Sequence, residues 1–422
     1  MNIPAWLEKI SSGEQDAEFS ALYGDCARAR ARHQRLLGLY RERFGDENVI
    51  LVSAPGRTEL AGNHTDHQQG MVLCGSVTQD TLAVAAPAAD GAVTILSEGF
   101  GEFQLKLDSL LFRPEERESS AAIVRGMAAA LSAQGVEVGG FRAVVNSDVP
   151  AGGGLSSSAS FEVLVGAIFC ALYGGRLSPM GLAKAGQTAE RDYFGKPSGL
   201  LDQAACAGGG ILLIDFYDPL EPRLTPIAFD FRKKGYVLCA VDTHTSHAGL
   251  TEDYAAIPRD MRAVAWYFHR KALRYVDRSL YLSGRSGLEG ALSPLAIGRA
   301  EHFFAEEERV TAMAQALLNG DMETYRRKMI ASGESSRFLL QNIVPPSQPE
   351  RREMAIALDR AESLLNQVGA WRIHGGGFAG CIQCLVPEAA YPAFVRAMDG
   401  WYGEGSTFEL RIRPCGAHLL KA

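Results

Sequence analysis

Residues 141–174, FRAVVNSDVPAGGGLSSSASFEVLVGAIFCALYG, constrain the fold more than any other stretch of this sequence. They predict a β-strand over 141–149, a glycine- and serine-rich loop over 150–160, and then a helix. Six apolar residues of that helix recur at helical spacing: Phe161, Leu164, Val165, Ile168, Phe169 and Leu172. Glycines let backbone N–H groups turn inward, and a helix start adds unpaired N–H groups. The loop is therefore predicted to bind phosphate, the simpler alternative being a flexible turn with a helix cap.

Three successive hydroxyls, Ser156, Ser157 and Ser158, stand at the entrance of the predicted helix. One can cap the helix, and another can reach a Mg²⁺ ion that bridges phosphates. The sequence contains no GxxxxGK[ST] pattern, so the loop lacks the phosphate-binding lysine of a Walker motif. Arg57 is a candidate for the missing positive charge, since a guanidinium stays protonated and can bind a phosphate oxygen. Taken alone, an arginine after Pro-Gly is more often a surface residue.

The stretch Gly56–Gly70, GRTELAGNHTDHQQG, places several polar side chains between glycines after the apolar run NVILVSAP. His64 and His67 in this stretch, like His244 and His247 further on, raise the possibility of a metal site. Both spacings are weak evidence without further ligands nearby, and hydrogen-bonded histidines are the simpler interpretation. The stretch is otherwise suited to folding closely around a small polar ligand.

Two further loops carry candidate chemistry. In GLLDQ (199–203), Asp202 is flanked by apolar and small residues, where it could accept or orient a hydroxyl proton, or simply cap a turn. GGGFAG (375–380) matches G-x-G-x-x-G, but strand-like residues follow it, so we reject a dinucleotide site and expect close backbone packing. A strand would point Cys381 and Cys384 to opposite faces, so no zinc is expected there.

The 422-residue length exceeds what one core supports and suits two domains, which we place at 1–217 and 218–422, divided in the proline-rich DPLEPRLTP. Strand candidates without regular βαβ alternation predict an α+β fold, and single helices are expected over 18–44 and 252–277. A net charge of −7 argues against nucleic-acid binding. Eight scattered cysteines and the lack of a long apolar run predict a cytoplasmic protein with no membrane segment. We expect a monomer or weak dimer.

Taken together, these motifs resemble the galactokinases of the GHMP small-molecule kinase superfamily, over the chain from about residue 40 onward. APGRTELAGNHTDHQQG is similar to the family's APGRVNLIGEHTDYNxG, and the other three motifs are similar to its phosphate loop, its catalytic-aspartate loop and its third glycine motif. The resemblance implies a ribosomal-S5-like N-terminal domain and a ferredoxin-like C-terminal domain with the active site between them. It also implies ATP-dependent phosphorylation of the anomeric hydroxyl of galactose, with Mg²⁺.

The resemblance also implies roles for individual residues. Arg57 and Asp202 would flank the anomeric hydroxyl, Ser158 and Glu190 would hold Mg²⁺, and Gly376 would support the phosphate loop. The residues implied to line the triphosphate are Gly152, Gly153, Gly154, Ser156, Ser157 and Ser158. The residues implied to meet the sugar are Asn63, His64, Asp66, Gly199 and Tyr254.

The sequence departs from the family pattern inside the implied sugar pocket. Asn63 stands where the family has a glutamate that contacts the C6 hydroxyl, and His67 stands where it has tyrosine. An asparagine would tolerate a C6 carboxylate that a glutamate would repel, so a galacturonate 1-kinase is an alternative. A sugar- and ATP-binding sensor without turnover is a second alternative, against which the intact GLSSSAS run, Arg57 and Asp202 argue.

Overall fold

The computed structural model describes residues 1–150, 152–196 and 198–422. It contains separate helical and mainly antiparallel sheet regions, which confirms the predicted α+β class. The helices are α1 Ile3–Ser12, α2 Asp16–Tyr23, α3 Cys26–Phe44, α4 Ser120–Ala133, α5 Ser157–Tyr173, α6 Pro179–Thr188, α7 Leu201–Gly208, α8 Thr251–Tyr267, α9 Arg278–Leu288, α10 Pro294–Asn319, α11 Met322–Ser335, α12 Glu353–Leu365 and α13 Tyr391–Tyr402. The strands are β1 Ile50–Ala61, β2 Met71–Ala88, β3 Ala92–Ser97, β4 Gly101–Lys106, β5 Gly140–Ser147, β6 Ile211–Asp215, β7 Arg223–Ile227, β8 Tyr236–Asp242, β9 Ala370–Ile373, β10 Cys381–Pro387, β11 Thr407–Glu409 and β12 His418–Leu419.

The larger sheet has the order β12-β1-β2-β5-β3-β4, and its pairings are antiparallel except for β3 with β5. Strand β2 is long enough to pair with β6 near its start and with β5 near its end, and β7 continues from β6. The sheet has helices on both faces. Val52 and Ala54 point toward the helices α4 to α7, whereas Leu51 and Leu82 point toward α1 to α3. This double burial explains why NVILVSAP is a continuous apolar run.

The smaller sheet has the order β11-β8-β10-β9 and is likewise covered on both faces. Cys381 faces the core that includes α10 and α11, and Cys384 faces the core that includes α12 and α13. The two thiols therefore lie on opposite faces, as predicted. Within the described residues all eight cysteines are free, and no cluster of three or more His, Cys, Asp or Glu side chains could hold a metal ion.

The structure corrects several predicted elements. The single helix predicted over 18–44 is divided into α2 and α3 at Gly24, which has a φ of 77°, and Asp25 caps α3. The helix predicted over 252–277 ends at Tyr267. Residues Met71–Ala88 form one long strand, β2. Of the helices in the described part of the chain, none is long and apolar enough to cross a bilayer.

The larger sheet takes strands from both sides of the predicted domain boundary at residues 217 and 218. Strand β7 lies after that boundary and pairs with β6, and β12 near the end of the chain pairs with β1. The division into 1–217 and 218–422 stays a prediction.

Candidate active site

Arg57 and the stretch after it are positioned by irregularities in strand β1. The pairing of β1 with β2 shifts register between Pro55 and Arg57 and again between Glu59 and Ala61. A bulge bends a strand and changes the direction of its side chains, and bulges are frequent beside active sites. The Arg57 side chain is only 8% exposed, so its charge is held inside the molecule rather than on the surface. The interpretation of Arg57 as a surface residue is therefore wrong.

Asp202, in helix α7, contacts both the stretch Gly56–Gly70 and the phosphate loop. Its Oδ1 accepts a hydrogen bond from Arg57 Nε at 2.7 Å, and its Oδ2 accepts one from Ser156 Oγ at 2.6 Å. Arg57 also donates to the carbonyl of Gly154. Burial raises the pKa of Asp202, but the charge of Arg57 and these hydrogen bonds outweigh it, so the pKa lies below its usual value. Asp202 is thus an anion at neutral pH, and 35% of its side chain is exposed.

The phosphate loop has the predicted strand-loop-helix form. Gly152 and Gly154 have φ values of 75° and 72°, and Ser156 has a φ of 60°, which is unusual for a residue with a side chain. Helix α5 begins at Ser157, and the Ser156 hydroxyl bonds to Asp202 instead of capping the helix. The first N–H groups of α5 therefore receive no side-chain cap from Ser156, which leaves them available to an anion.

A cavity of about 590 Å³ opens beside this loop. Ser157 and Ser158 line its polar end, together with Glu190 and Lys196. The aromatic residues that line it are Phe100, Phe103, Phe161 and Phe194. The volume is typical of small-molecule and cofactor sites, and the division into an aromatic part and a polar part suits a nucleotide with its base and phosphates.

Ser158 and Glu190 face each other, as the family resemblance implies for a magnesium site. Their side-chain oxygens Oγ and Oε1 are 3.4 Å apart, close to the roughly 3 Å that separates neighbouring oxygens around a Mg²⁺ ion. Mg²⁺ commonly takes only one or two protein oxygens and completes its shell with phosphate and water. These two residues would therefore fit such an ion, with phosphate and water completing its shell.

Three residues of this region were not identified from the sequence: Glu162, Lys196 and Gln203. Lys196 Nζ lies 2.7 Å from Glu190 Oε1. The fully buried Gln203 donates from Nε2 to Glu162 Oε2 at 2.9 Å and to Glu190 Oε2 at 2.8 Å. Gln203 therefore ties the helix that carries Asp202 to the carboxylate proposed for the metal. The position of Gln203 directly after Asp202 was the only signal in the sequence that could have identified it.

Asp66 and Gly199 lie against each other near Asp202. A Cβ atom on Gly199 would overlap the Asp66 carboxylate, so only glycine permits this approach. Burial, and then the negative charge of Asp202, raise the pKa of Asp66 to about 7. Asp66 can therefore both donate and accept hydrogen bonds near neutral pH, which suits the hydroxyls of a sugar.

The two histidines of the stretch are held by hydrogen bonds. His64 Nε2 donates to the carbonyl of Gly376 at 2.9 Å, and His64 Nδ1 lies 3.2 Å from His67 Nε2. Burial lowers the pKa of His64 to about 4, so its ring is neutral. With both nitrogens of His64 engaged, the pair supports the hydrogen-bonded interpretation over a metal site.

Asn63 lies outside the predicted substrate surface. It is fully buried, and its amide is surrounded by protein partners. Its Nδ2 donates to Glu59 Oε1 at 3.1 Å and to the Gly375 carbonyl at 2.5 Å. Its Oδ1 accepts from Asn342 Nδ2 at 2.8 Å and from Ser336 Oγ at 3.3 Å. All of its hydrogen-bonding capacity is used, so the prediction of a direct sugar contact needs correction to a positioning role.

Gly376, in the glycine loop 375–380, contacts His64 and Tyr254 and not the described residues of the phosphate loop. The Gly376 carbonyl accepts from His64, and its Cα faces the ring of Tyr254, where an added Cβ would lie 2.9 Å from Cε1. Gly380 approaches the phosphate loop more closely, since a Cβ there would lie 2.9 Å from the Gly152 carbonyl oxygen, and one on Gly375 would lie 3.7 Å from the Gly154 carbonyl oxygen. The prediction that Gly376 supports the phosphate loop is corrected accordingly.

Tyr254 connects the glycine loop to the phosphate loop through His247. Its hydroxyl lies 2.6 Å from the Gly377 carbonyl oxygen and 2.6 Å from His247 Nδ1. His247 Nε2 in turn lies 3.0 Å from the Gly152 carbonyl oxygen. Because the hydroxyl is engaged by protein, a sugar would meet the ring of Tyr254 and not its oxygen.

Comparisons with known proteins agree with this arrangement. Residues 121–210 match the family model of the GHMP kinases N terminal domain, and residues 38–87 match the galactokinase galactose-binding signature. The chain is similar to the crystal structure of Lactococcus lactis galactokinase complexed with galactose, with 26% identity and a TM-score of 0.78 over 91% of this chain and 98% of that chain.

More distant structures share the fold alone. A D-glycero-D-manno-heptose 1-phosphate kinase from Bacteroides thetaiotaomicron is 16% identical with a TM-score of 0.62, over 88% of this chain and 99% of that chain. The Methanococcus jannaschii mevalonate kinase is 17% identical with a TM-score of 0.62, over 86% of this chain and 98% of that chain. Fold and loops together define a small-molecule kinase of the GHMP class. With the galactose-binding signature over residues 38–87, the chain is similar to the galactokinases.

Proposed function

We propose that this protein transfers the γ-phosphoryl group of ATP to the anomeric hydroxyl of galactose. The observation that carries the proposal is the position of Asp202, which bonds Arg57 from the sugar stretch at 2.7 Å and Ser156 from the phosphate loop at 2.6 Å. A hydroxyl placed on Asp202 therefore also lies beside the loop that holds the phosphates. Phosphoryl transfer depends largely on such positioning and on charge stabilisation.

Asp202 orients the attacking hydroxyl. Its lowered pKa makes it an anion but a weak base, so it accepts a hydrogen bond from the hydroxyl and receives the proton only late in the reaction. The sugar oxygen forms a bond to the γ-phosphorus while the bond from that phosphorus to the ADP oxygen breaks. The exposed third of the Asp202 side chain provides the surface that the hydroxyl needs.

Arg57 holds positive charge at the same position. Its guanidinium is fixed by Asp202 and by the Gly154 carbonyl, and it stays protonated at every working pH. It therefore stabilises negative charge that spreads over the transferred group without first having to reorganise. Ser158 and Glu190 would hold Mg²⁺, which supplies further neutralisation of the phosphate charge when it is bound.

The sugar would lie against Asp66, His64, Gly199 and the ring of Tyr254. The case for galacturonate rested on His67 and chiefly on the missing charge at Asn63, but the Asn63 side chain is buried and bonded to protein. Asn63 therefore has no exposed surface that could contact a C6 carboxylate, and galactose is the favoured substrate. The free cysteines are consistent with the cytoplasm as the place of action.

A coupled assay of ADP release tests the proposal. The purified protein is supplied with ATP, Mg²⁺ and, in turn, galactose, N-acetylgalactosamine, galacturonate, glucose and arabinose. We expect turnover with galactose and its loss in Asp202→Ala. Sugar binding without turnover would favour a sensor, and faster turnover of galacturonate would assign the protein to the other substrate.

A further inference from the structure

We propose that Lys196 binds the triphosphate of the nucleotide and supplies the cation that the phosphate loop lacks. This inference rests on the proposed function, because it takes the 590 Å³ cavity as the nucleotide site. Lys196 lies between the π-helical segment Ala189–Phe194 and the loop that leads to Asp202. It lines the cavity together with Ser157 and Ser158, and its Nζ lies 2.7 Å from Glu190 Oε1.

The charges around the polar end of the cavity favour such a cation in addition to Mg²⁺. Glu190 and Asp202 bring two carboxyl groups to this region, while burial raises the pKa of Glu162 well above its usual value, and a nucleotide triphosphate adds several negative charges. Arg57 is held by Asp202 and Gly154, and its side chain is only 8% exposed. Without a second basic residue, bringing a triphosphate here would place like charges together in a partly desolvated site.

Lys196 is free to make this contact. An ammonium group has three donors, and Glu190 Oε1 accepts from one of them. Its side chain is 55% exposed, whereas that of Glu190 is 4% exposed, so the lysine covers the buried carboxylate from the open side of the cavity. Like the lysine of a Walker motif, Lys196 would bind phosphate through its ammonium group. It lies, however, in a different segment of the chain from the phosphate loop.

Equilibrium binding of ATP in EDTA, measured by calorimetry, tests the inference without metal and without turnover. We expect Lys196→Met to weaken metal-free ATP binding about tenfold to a hundredfold, because a charge-assisted hydrogen bond is lost. Lys196→Arg should retain most of the affinity. Lys184→Met is the matched control, since Lys184 bonds to the Leu220 carbonyl and does not line the cavity.

Lys196→Met in the Glu190→Gln background separates direct contact from a role through Glu190, because the carboxylate that Lys196 neutralises is then absent. If Lys196 acts only through Glu190, adding Lys196→Met to Glu190→Gln will leave metal-free ATP binding unchanged, and the proposal is then wrong. Unchanged metal-free binding of Lys196→Met alone would also overturn it. Thermal unfolding of each apo variant checks the fold, and Lys196→Gln gives a second neutral side chain should the methionine variant unfold. Wild-type ATP binding without sugar turnover would contradict the proposed function while leaving this test intact.

Discussion

Replacing Ser156 by alanine removes one of the hydrogen bonds that hold Asp202 in place. Ser156 Oγ donates to Asp202 Oδ2 at 2.6 Å, and a hydrogen bond to a charged group contributes about 1.5–3 kcal/mol. Because 35% of the Asp202 side chain is exposed, water can replace part of this interaction, so the lower end of the range applies. Turnover with galactose should therefore fall about tenfold to thirtyfold.

The pH profile gives a second, independent measure of the same bond. The Ser156 hydroxyl helps lower the pKa of Asp202, so its removal raises that pKa. Activity requires the ionised carboxylate and falls as the pH drops through its pKa. The acidic limb of kcat in Ser156→Ala should therefore lie at higher pH than in the wild type.

Ser156→Gly separates the effect of losing the hydroxyl from the effect of the backbone conformation. Ser156 has a φ of 60°, a conformation that costs about 1–2 kcal/mol for a residue with a side chain and almost nothing for glycine. The glycine variant should unfold at a higher temperature than the alanine variant yet be equally slow. If glycine restores turnover, or if alanine leaves both kcat and the acidic limb unchanged, the role assigned to the Ser156 hydroxyl is wrong.

Four further substitutions test other parts of the site. Asp202→Asn should lower kcat by about 10²–10⁴-fold. In thermal unfolding it should also destabilise the protein at neutral pH, because Arg57 loses its counter-charge. The difference in stability between variant and wild type should vanish as acid neutralises the wild-type carboxylate. Asp66→Asn should gain stability relative to the wild type as pH rises from about 4 to 7, since the folded carboxyl, with its pKa of about 7, resists ionisation; an offset that is constant with pH would contradict this. Asn63→Asp should lower the unfolding temperature, and a raised KM for galactose with unchanged stability would instead indicate direct sugar contact. Glu190→Gln should raise the Mg²⁺ concentration for half-maximal turnover about tenfold, and an unchanged Mg²⁺ dependence would remove it from the metal site.

The sequence predicted the parts of the site that depend on local chemistry. The order of strand, glycines, serines and helix led to the phosphate loop, and the carboxylate in GLLDQ led to Asp202. The α+β class followed from strand candidates that lacked βαβ alternation. These features depend on residues that are neighbours in the sequence, so periodicity and composition are enough to find them.

Features that depend on contacts between distant residues were missed or misassigned. The sequence alone indicates that Asn63 is a substrate ligand. In the structure, Asn342 and Gly375, about 300 residues away, form hydrogen bonds with its side-chain amide. Lys196 looks like an ordinary loop lysine until folding brings it to the cavity beside Ser158. The division between α2 and α3 depended on a left-handed Gly24, which the surrounding helical periodicity concealed.

The product formed from galactose, ATP and Mg²⁺ shows whether this protein phosphorylates the anomeric hydroxyl. Phosphorus and proton NMR of the reaction mixture locate the phosphate on the sugar. We predict a single sugar phosphate carrying its phosphate at the anomeric carbon, formed together with ADP in equal amount and absent with Asp202→Ala. A phosphate at another carbon, or ATP hydrolysis without sugar phosphate, would contradict the account.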